Sequence, residues 1–104
     1  MMSAVEVRLL YVEDCPHVAL ARERLTEALL HRGLDPAAIE FELVGSPAEA
    51  ERLGFRGSPT ILLDGRDPFA PDDAPPGLSC RIYRTEAGTE GAPSVGRLEE
   101  VLRS

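Results

Sequence analysis

The sequence predicts a small α/β domain, one mixed sheet with helices on both faces and elements in the order β-α-β-α-β-β-α. Three observations carry this. The chain has 104 residues, enough for one core and too few for two. Strand-like runs at 5–12, 39–44, 60–63 and 80–84 are interleaved with stretches of helical spacing. The first two runs are joined through a full amphipathic helix, the connection that parallel strands need. The whole chain, 1–104, reads as one domain interrupted by a Pro-rich inserted loop at 66–79.

The first strand, Val5 to Val12, begins in alternation and ends continuously apolar, as a strand does on entering a core. It stops at Glu13-Asp14-Cys15-Pro16. From there to Arg32, Val18, Ala21, Leu25, Ala28 and Leu29 follow helical spacing, with Pro16 suited to the first turn and Gly33 to the stop. Alternation over Ile39–Val44 predicts a second strand with Ile39, Phe41 and Leu43 on one buried face. Ser46-Pro47-Ala48-Glu49 is a capping box opening a short helix that ends at Leu53-Gly54. Thr60–Leu63 is the third strand, closed by Asp64-Gly65. The loop that follows is too rich in proline for a central strand or helix. Cys80–Arg84 is the fourth strand, expected antiparallel to the third, with Cys80, Ile82 and Arg84 on one side and Arg81 and Tyr83 on the other. Four strands would then form one sheet. Ser94 caps a last helix with Val95, Leu98, Val101 and Leu102 on its stripe.

Composition narrows the partners. Eighteen acids against eleven bases leave a net charge of −7, and the bases, all Arg, are scattered. A concentrated basic surface is missing, so neither nucleic acid nor an anionic membrane is an expected partner. No apolar run approaches the ~20 residues of a membrane span, and the start lacks the pattern of a secretory leader, so a cytoplasmic location is expected. The two cysteines, Cys15 and Cys80, are too few for a disulfide framework or a four-thiolate zinc site. No cofactor and no resident metal is expected, and the sequence is silent on oligomeric state.

The stretch Ala50-Glu51-Arg52-Leu53-Gly54-Phe55-Arg56-Gly57-Ser58-Pro59-Thr60-Ile61-Leu62-Leu63-Asp64-Gly65 resembles the thioredoxin segment in which a short helix, a Gly-containing turn and a cis-Pro-Thr lead into a strand. With Cys15-Pro16 after the first strand and Gly91-Ala92-Pro93-Ser94 before the last helix, the resemblance spans nearly the whole chain outside the loop. The chain is also similar to short bacterial thioredoxin-family and alkylmercury-lyase-like proteins, which share a Cys-Pro after strand one and a Leu-Ser-Cys-Arg-x-Tyr segment. The resemblance implies a thioredoxin-like fold, a cis bond before Pro59, and Ser58 backbone beside the Cys15 thiol as a docking edge. Pro16, His17, Ser58 and Pro59 would contact a substrate: a peptide carrying a thiol or disulfide, or a small thiol. The departure is equally specific. Cys15-Pro16-His17-Val18 holds valine where a dithiol thioredoxin has its second cysteine, so Cys15 cannot pair with its third neighbour.

A thiol at a helix N-terminus gains from free N–H groups and the dipole, with His17 adding to this when cationic, while Glu13 and Asp14 oppose it. A mildly activated thiolate is expected. Three functions remain open: a monothiol oxidoreductase with Cys15 as nucleophile, a binding module that keeps the cleft without redox chemistry, and soft-metal or organomercurial handling through Cys15 and Cys80. Cys80 sits early in its strand. A simple hairpin would hold it some ~17 Å along the strand from Cys15, whereas a loop that folds back would let it resolve a Cys15 mixed disulfide.

Overall fold

The computed structural model describes residues 6–69 and 77–102, with 77–80 described through the backbone alone. Their order is β1 (Val7–Tyr11), α1 (Val18–His31), a 3-10 turn (Pro36–Ala38), β2 (Ile39–Leu43), α2 (Pro47–Leu53), β3 (Arg56–Ser58), β4 (Thr60–Leu63), β5 (Gly77–Cys80), β6 (Tyr83–Thr85), β7 (Gly88–Glu90) and α3 (Val95–Leu102). β1 is the centre of a three-stranded sheet ordered β2-β1-β4. It pairs in parallel with β2, Val7 opposite Ile39, and antiparallel with β4, Leu10 opposite Thr60.

Alternation along β1 splits the core. Val7 and Leu9 join Ala21, Leu25, Ala28 and Leu29 of α1, Ile61 and Leu98 of α3. Leu10 turns to the other face and meets Val44, Ala50, Phe55 and Leu62 beneath α2. Helices therefore cover both faces, and each fully buried leucine contributes about 1.5–3 kcal/mol. α1 ends as a Schellman motif. Gly33, at φ 74°, lets its own N–H reach Leu30 O at 3.0 Å and the Leu34 N–H reach Leu29 O at 2.8 Å. Ser46 Oγ accepts from Glu49 N at 3.2 Å, and Glu49 Oε1 accepts from Gly45 N, one residue ahead of the reciprocal partner a capping box calls for. Ser94 caps α3 by accepting from Arg97 N at 3.2 Å.

The expected single four-stranded sheet is replaced by the three-stranded sheet and two separate pairs, β3-β5 and β6-β7. Arg56–Ser58 is an additional strand, set off from β4 by Pro59. The stretch 80–84 is broken at Arg81-Ile82, and the end of the expected loop, 77–79, belongs to β5. β5 runs parallel to β3, with Ser58 opposite Cys80, where an antiparallel partner of Thr60–Leu63 was expected. The cause is polar. Arg81 gives its backbone N–H to Ser58 O at 2.9 Å and its guanidinium to Asp67, so the chain cannot lie along β4. The rest of the loop, 70–76, lies outside the described residues.

The second correction concerns β2. Ile39 is buried, but Phe41 and Leu43 are 45% and 48% exposed. β2 is the sheet's edge, and the stripe of α1 is spent on β1, β4 and α3 instead. Phe41 is left beneath the Arg22 guanidinium, 5.9 Å from its ring centroid.

Candidate functional site at the carboxyl end of β1

After Tyr11 the chain leaves the sheet through a four-residue turn, closed by Cys15 N–H donating to Val12 O at 3.3 Å. Asp14 takes positive φ, 62°, a conformation that Asp tolerates better than most residues. Pro16 and His17 continue the turn, and the first helical bond runs from Ala21 N to His17 O at 3.0 Å. The helix thus begins at Val18 and not at Pro16. Cys15, a free thiol and half-buried, stands ahead of the first turn, where a dipole effect confined to that turn is weakened. Glu13 and Asp14 are exposed.

His17 is half-buried rather than solvated. Its ring lies over Gly91, so close that a Cβ there would fall 2.3 Å from ring atoms. Gly91 therefore holds the loop before α3 against the residue two positions after Cys15.

On the other side stands the turn 58–60. The Ser58–Pro59 peptide bond is cis, and Ser58, Pro59 and Thr60 are fully buried. Ser58 Oγ accepts the Val12 N–H at 3.2 Å, tying this turn to the one that carries Cys15. Thr60 Oγ1 donates to Gly57 O at 2.5 Å. The Ser58 carbonyl, part of the expected docking edge, already receives the Arg81 N–H of the same chain. An incoming peptide would have to share or displace that bond.

A polar cluster unforeseen in the sequence fixes this arrangement. Arg81 and Asp67 form a two-pronged ion pair, Nη1–Oδ2 2.5 Å and Nη2–Oδ1 3.2 Å, with side chains only 9% and 2% exposed. Arg81 also reaches Thr60 Oγ1 at 3.4 Å and lies 4.4 Å from the Tyr83 ring centroid. The Tyr83 hydroxyl donates to Pro59 O, and burial pushes its pKa well above the ordinary 10. Phe69 closes the cluster edge-to-face on Tyr83, with ring centroids 5.6 Å apart. The signal was the shared side of Arg81 and Tyr83 in the 80–84 alternation. Its buried acid partner, fourteen residues earlier, has no such mark.

Five of the expected residues thus come to one end of β1: Cys15, Pro16 and His17 in the turn before α1, and Ser58-Pro59 across from it. The Cys80 backbone joins them through its pairing with Ser58. A shallow groove lined by Val12, Glu13, Leu43, Val44 and Gly45 opens beside the same ends of β1 and β2, the position at which open α/β sheets bind ligands. Among the described residues, no group of three or more His, Cys, Asp or Glu side chains is gathered to hold a metal ion, and no helix is long and apolar enough to cross a membrane. Comparison with protein-family models, with curated proteins and with solved structures finds no significant match.

Proposed function

We propose that the chain is a thioredoxin-like domain acting as a monothiol thiol–disulfide oxidoreductase, with Cys15 as nucleophile. The observation that carries this reading is the meeting of the Cys15 turn with a cis Ser58–Pro59 turn, joined by the Val12–Ser58 hydrogen bond. It is supported by a central β1 between parallel β2 and antiparallel β4, and by helices on both faces. In the proposed step the Cys15 thiolate attacks one sulfur of a disulfide. A Cys15–substrate bond forms, the substrate S–S bond breaks, and the other half leaves as thiolate. Val18 has no thiol with which to finish the exchange from within the helix, so an outside thiol completes it.

The test is exposure of the reduced protein to glutathione disulfide, followed by intact-mass measurement, with alkylation rate recorded against pH. The expected result is oxidation of Cys15, seen as a glutathione adduct in wild type or, where a second thiol removes it, in Cys80→Ser, and absent from Cys15→Ser. Slow alkylation following an ordinary thiol titration near ~8.5, with no adduct, would refute the redox reading. That outcome would leave a binding module without redox chemistry, a reading favoured separately by the exposed Phe41 and Leu43, the latter lining the groove. Nothing among the described residues favours the metal-handling alternative.

A further inference from the structure

Proximity along the chain gives Cys80 no relation to Cys15, yet the topology returns it to the same end of the sheet. β1 delivers Cys15 at its carboxyl end, and Thr60 begins β4 opposite Leu10 at that end. β3 reaches the same point from the other side of Pro59 and ends at Ser58. Because β5 pairs with β3 in parallel, it also ends there, and the Cys80 backbone stands one interstrand step, about 4.8 Å, from Ser58. A hairpin onto β4 would have carried it away.

The register is pinned on the side of Cys80 that the structure describes. Arg81 N–H bonds Ser58 O, the Arg81 guanidinium reaches Thr60 Oγ1, and the Tyr83 hydroxyl bonds Pro59 O. Arg81 is thus fastened to 58 and 60, and Tyr83 to 59. Ser58 in its turn holds Val12, three residues before Cys15. Ser58 is therefore tied both to the turn that carries Cys15 and to the strand that carries Cys80, 65 positions further along the sequence.

From this placement we infer that Cys80 is the resolving thiol of Cys15, so that the protein completes disulfide exchange with two cysteines drawn from separate elements. The inference rests on the nucleophilic role proposed for Cys15 and replaces the outside thiol in its second half. Once Cys15 carries a mixed disulfide, the Cys80 thiolate attacks the Cys15 sulfur. The Cys15–Cys80 bond forms, the bond to the substrate breaks, and the second substrate half leaves as thiolate, taking a proton from water. The substrate disulfide gains two electrons and the protein's two thiols lose them. A dithiol reductant then restores both cysteines by the same exchange in reverse.

The experiment treats the reduced full-length chain with glutathione disulfide, quenches with acid and reads intact mass over time. Wild type is expected to finish two hydrogens lighter and free of glutathione, whereas Cys80→Ser stops at the Cys15 adduct, accumulating it at least ~10-fold above wild type. Non-reducing peptide mapping of wild type alone should recover a Cys15–Cys80 linked pair, which needs no variant to fold. Equal adduct in wild type and Cys80→Ser, with no linked pair, overturns the resolving role while leaving Cys15 as nucleophile. Absence of any adduct in Cys80→Ser overturns both.

Discussion

The unit 7–43 and the unit 56–85 are held together by different physics. In the first, β1, α1 and β2 owe their arrangement to apolar periodicity: Val7, Leu9, Ala21, Leu25, Ala28, Leu29 and Ile39 all turn to one shared core. In the second, the short strands β3, β5 and β6 are placed by polar contacts: Arg81 on Asp67, Arg81 N–H on Ser58 O, and Tyr83 on the Pro59 carbonyl. Apolar contact is non-directional and leaves a periodic trace in sequence. A buried ion pair is directional, tolerates no loss of either partner, and leaves almost no trace. The candidate site falls where the two units meet, Cys15 from the first and Ser58-Pro59 from the second.

The sharpest way to break this contrast is Asp67→Ala. It leaves the Arg81 guanidinium buried without its partner, so the loss is expected to be about 3–5 kcal/mol in urea unfolding. Replacing both partners by apolar residues, Asp67→Leu with Arg81→Met, should cost much less than the single change, because no buried charge is then orphaned. If the double variant is as damaged as the single one, the cluster acts through shape and not through charge.

Leu25→Ala probes the first unit. Leu25 is fully buried between α1 and the sheet, and its truncation should cost about 2–5 kcal/mol through lost transfer energy and a cavity. Added salt is the discriminating measurement. It should leave this loss unchanged, as an apolar contact requires. A strong salt dependence at Leu25 would erase the distinction drawn between the two units.

The smallest effect concerns the clasp between α1 and α3. His31 Nδ1 lies 2.5 Å from Glu99 Oε2, and Glu27 is 3.9 Å from Nε2. The hydrogen bond to Glu99, first, and both carboxylate charges raise the His31 pKa above its ordinary 6.5. The contribution of protonated His31 is therefore complete below about 6.5 and disappears as pH rises through the raised folded value. Denaturation midpoints of wild type and His31→Gln should differ on the acid side and converge in alkali. A constant offset across that range would remove the clasp.

The same contrast sets how much was legible beforehand. Gly33 and Gly54 ending helices, Ser46 and Ser94 starting them, and Ala21, Leu25 and Leu98 facing inward all follow from local rules, since a cap or a stripe is decided within a few residues. Phe41 and Leu43 fail the same rule because alternation reports two faces of a strand, not whether a helix reaches its outer half. The helix start slipped from Pro16 to Val18 because a proline at a first turn and a proline one turn earlier look alike in sequence. At the site, Cys15 and His17 were marked by their positions at the start of a helix, and Ser58 and Pro59 by the resemblance to a thioredoxin segment. Gly91 under the His17 ring and Asp67 beside Arg81 were not, because each acquires its role from a residue far along the chain.

By itself, then, the sequence determined the alternation of elements, the parallel first pair, the two-sided core and the glycines that end the first two helices, since all of these are short-range consequences of side-chain period and backbone freedom. The tertiary structure alone decided that β5 returns in parallel to β3, that the edge of β2 stays bare, and that Arg81, Asp67 and Tyr83 close over the turn at Ser58-Pro59. Those outcomes depend on which distant polar groups find one another once water is excluded, and the free energy of that pairing is a property of the assembled interior.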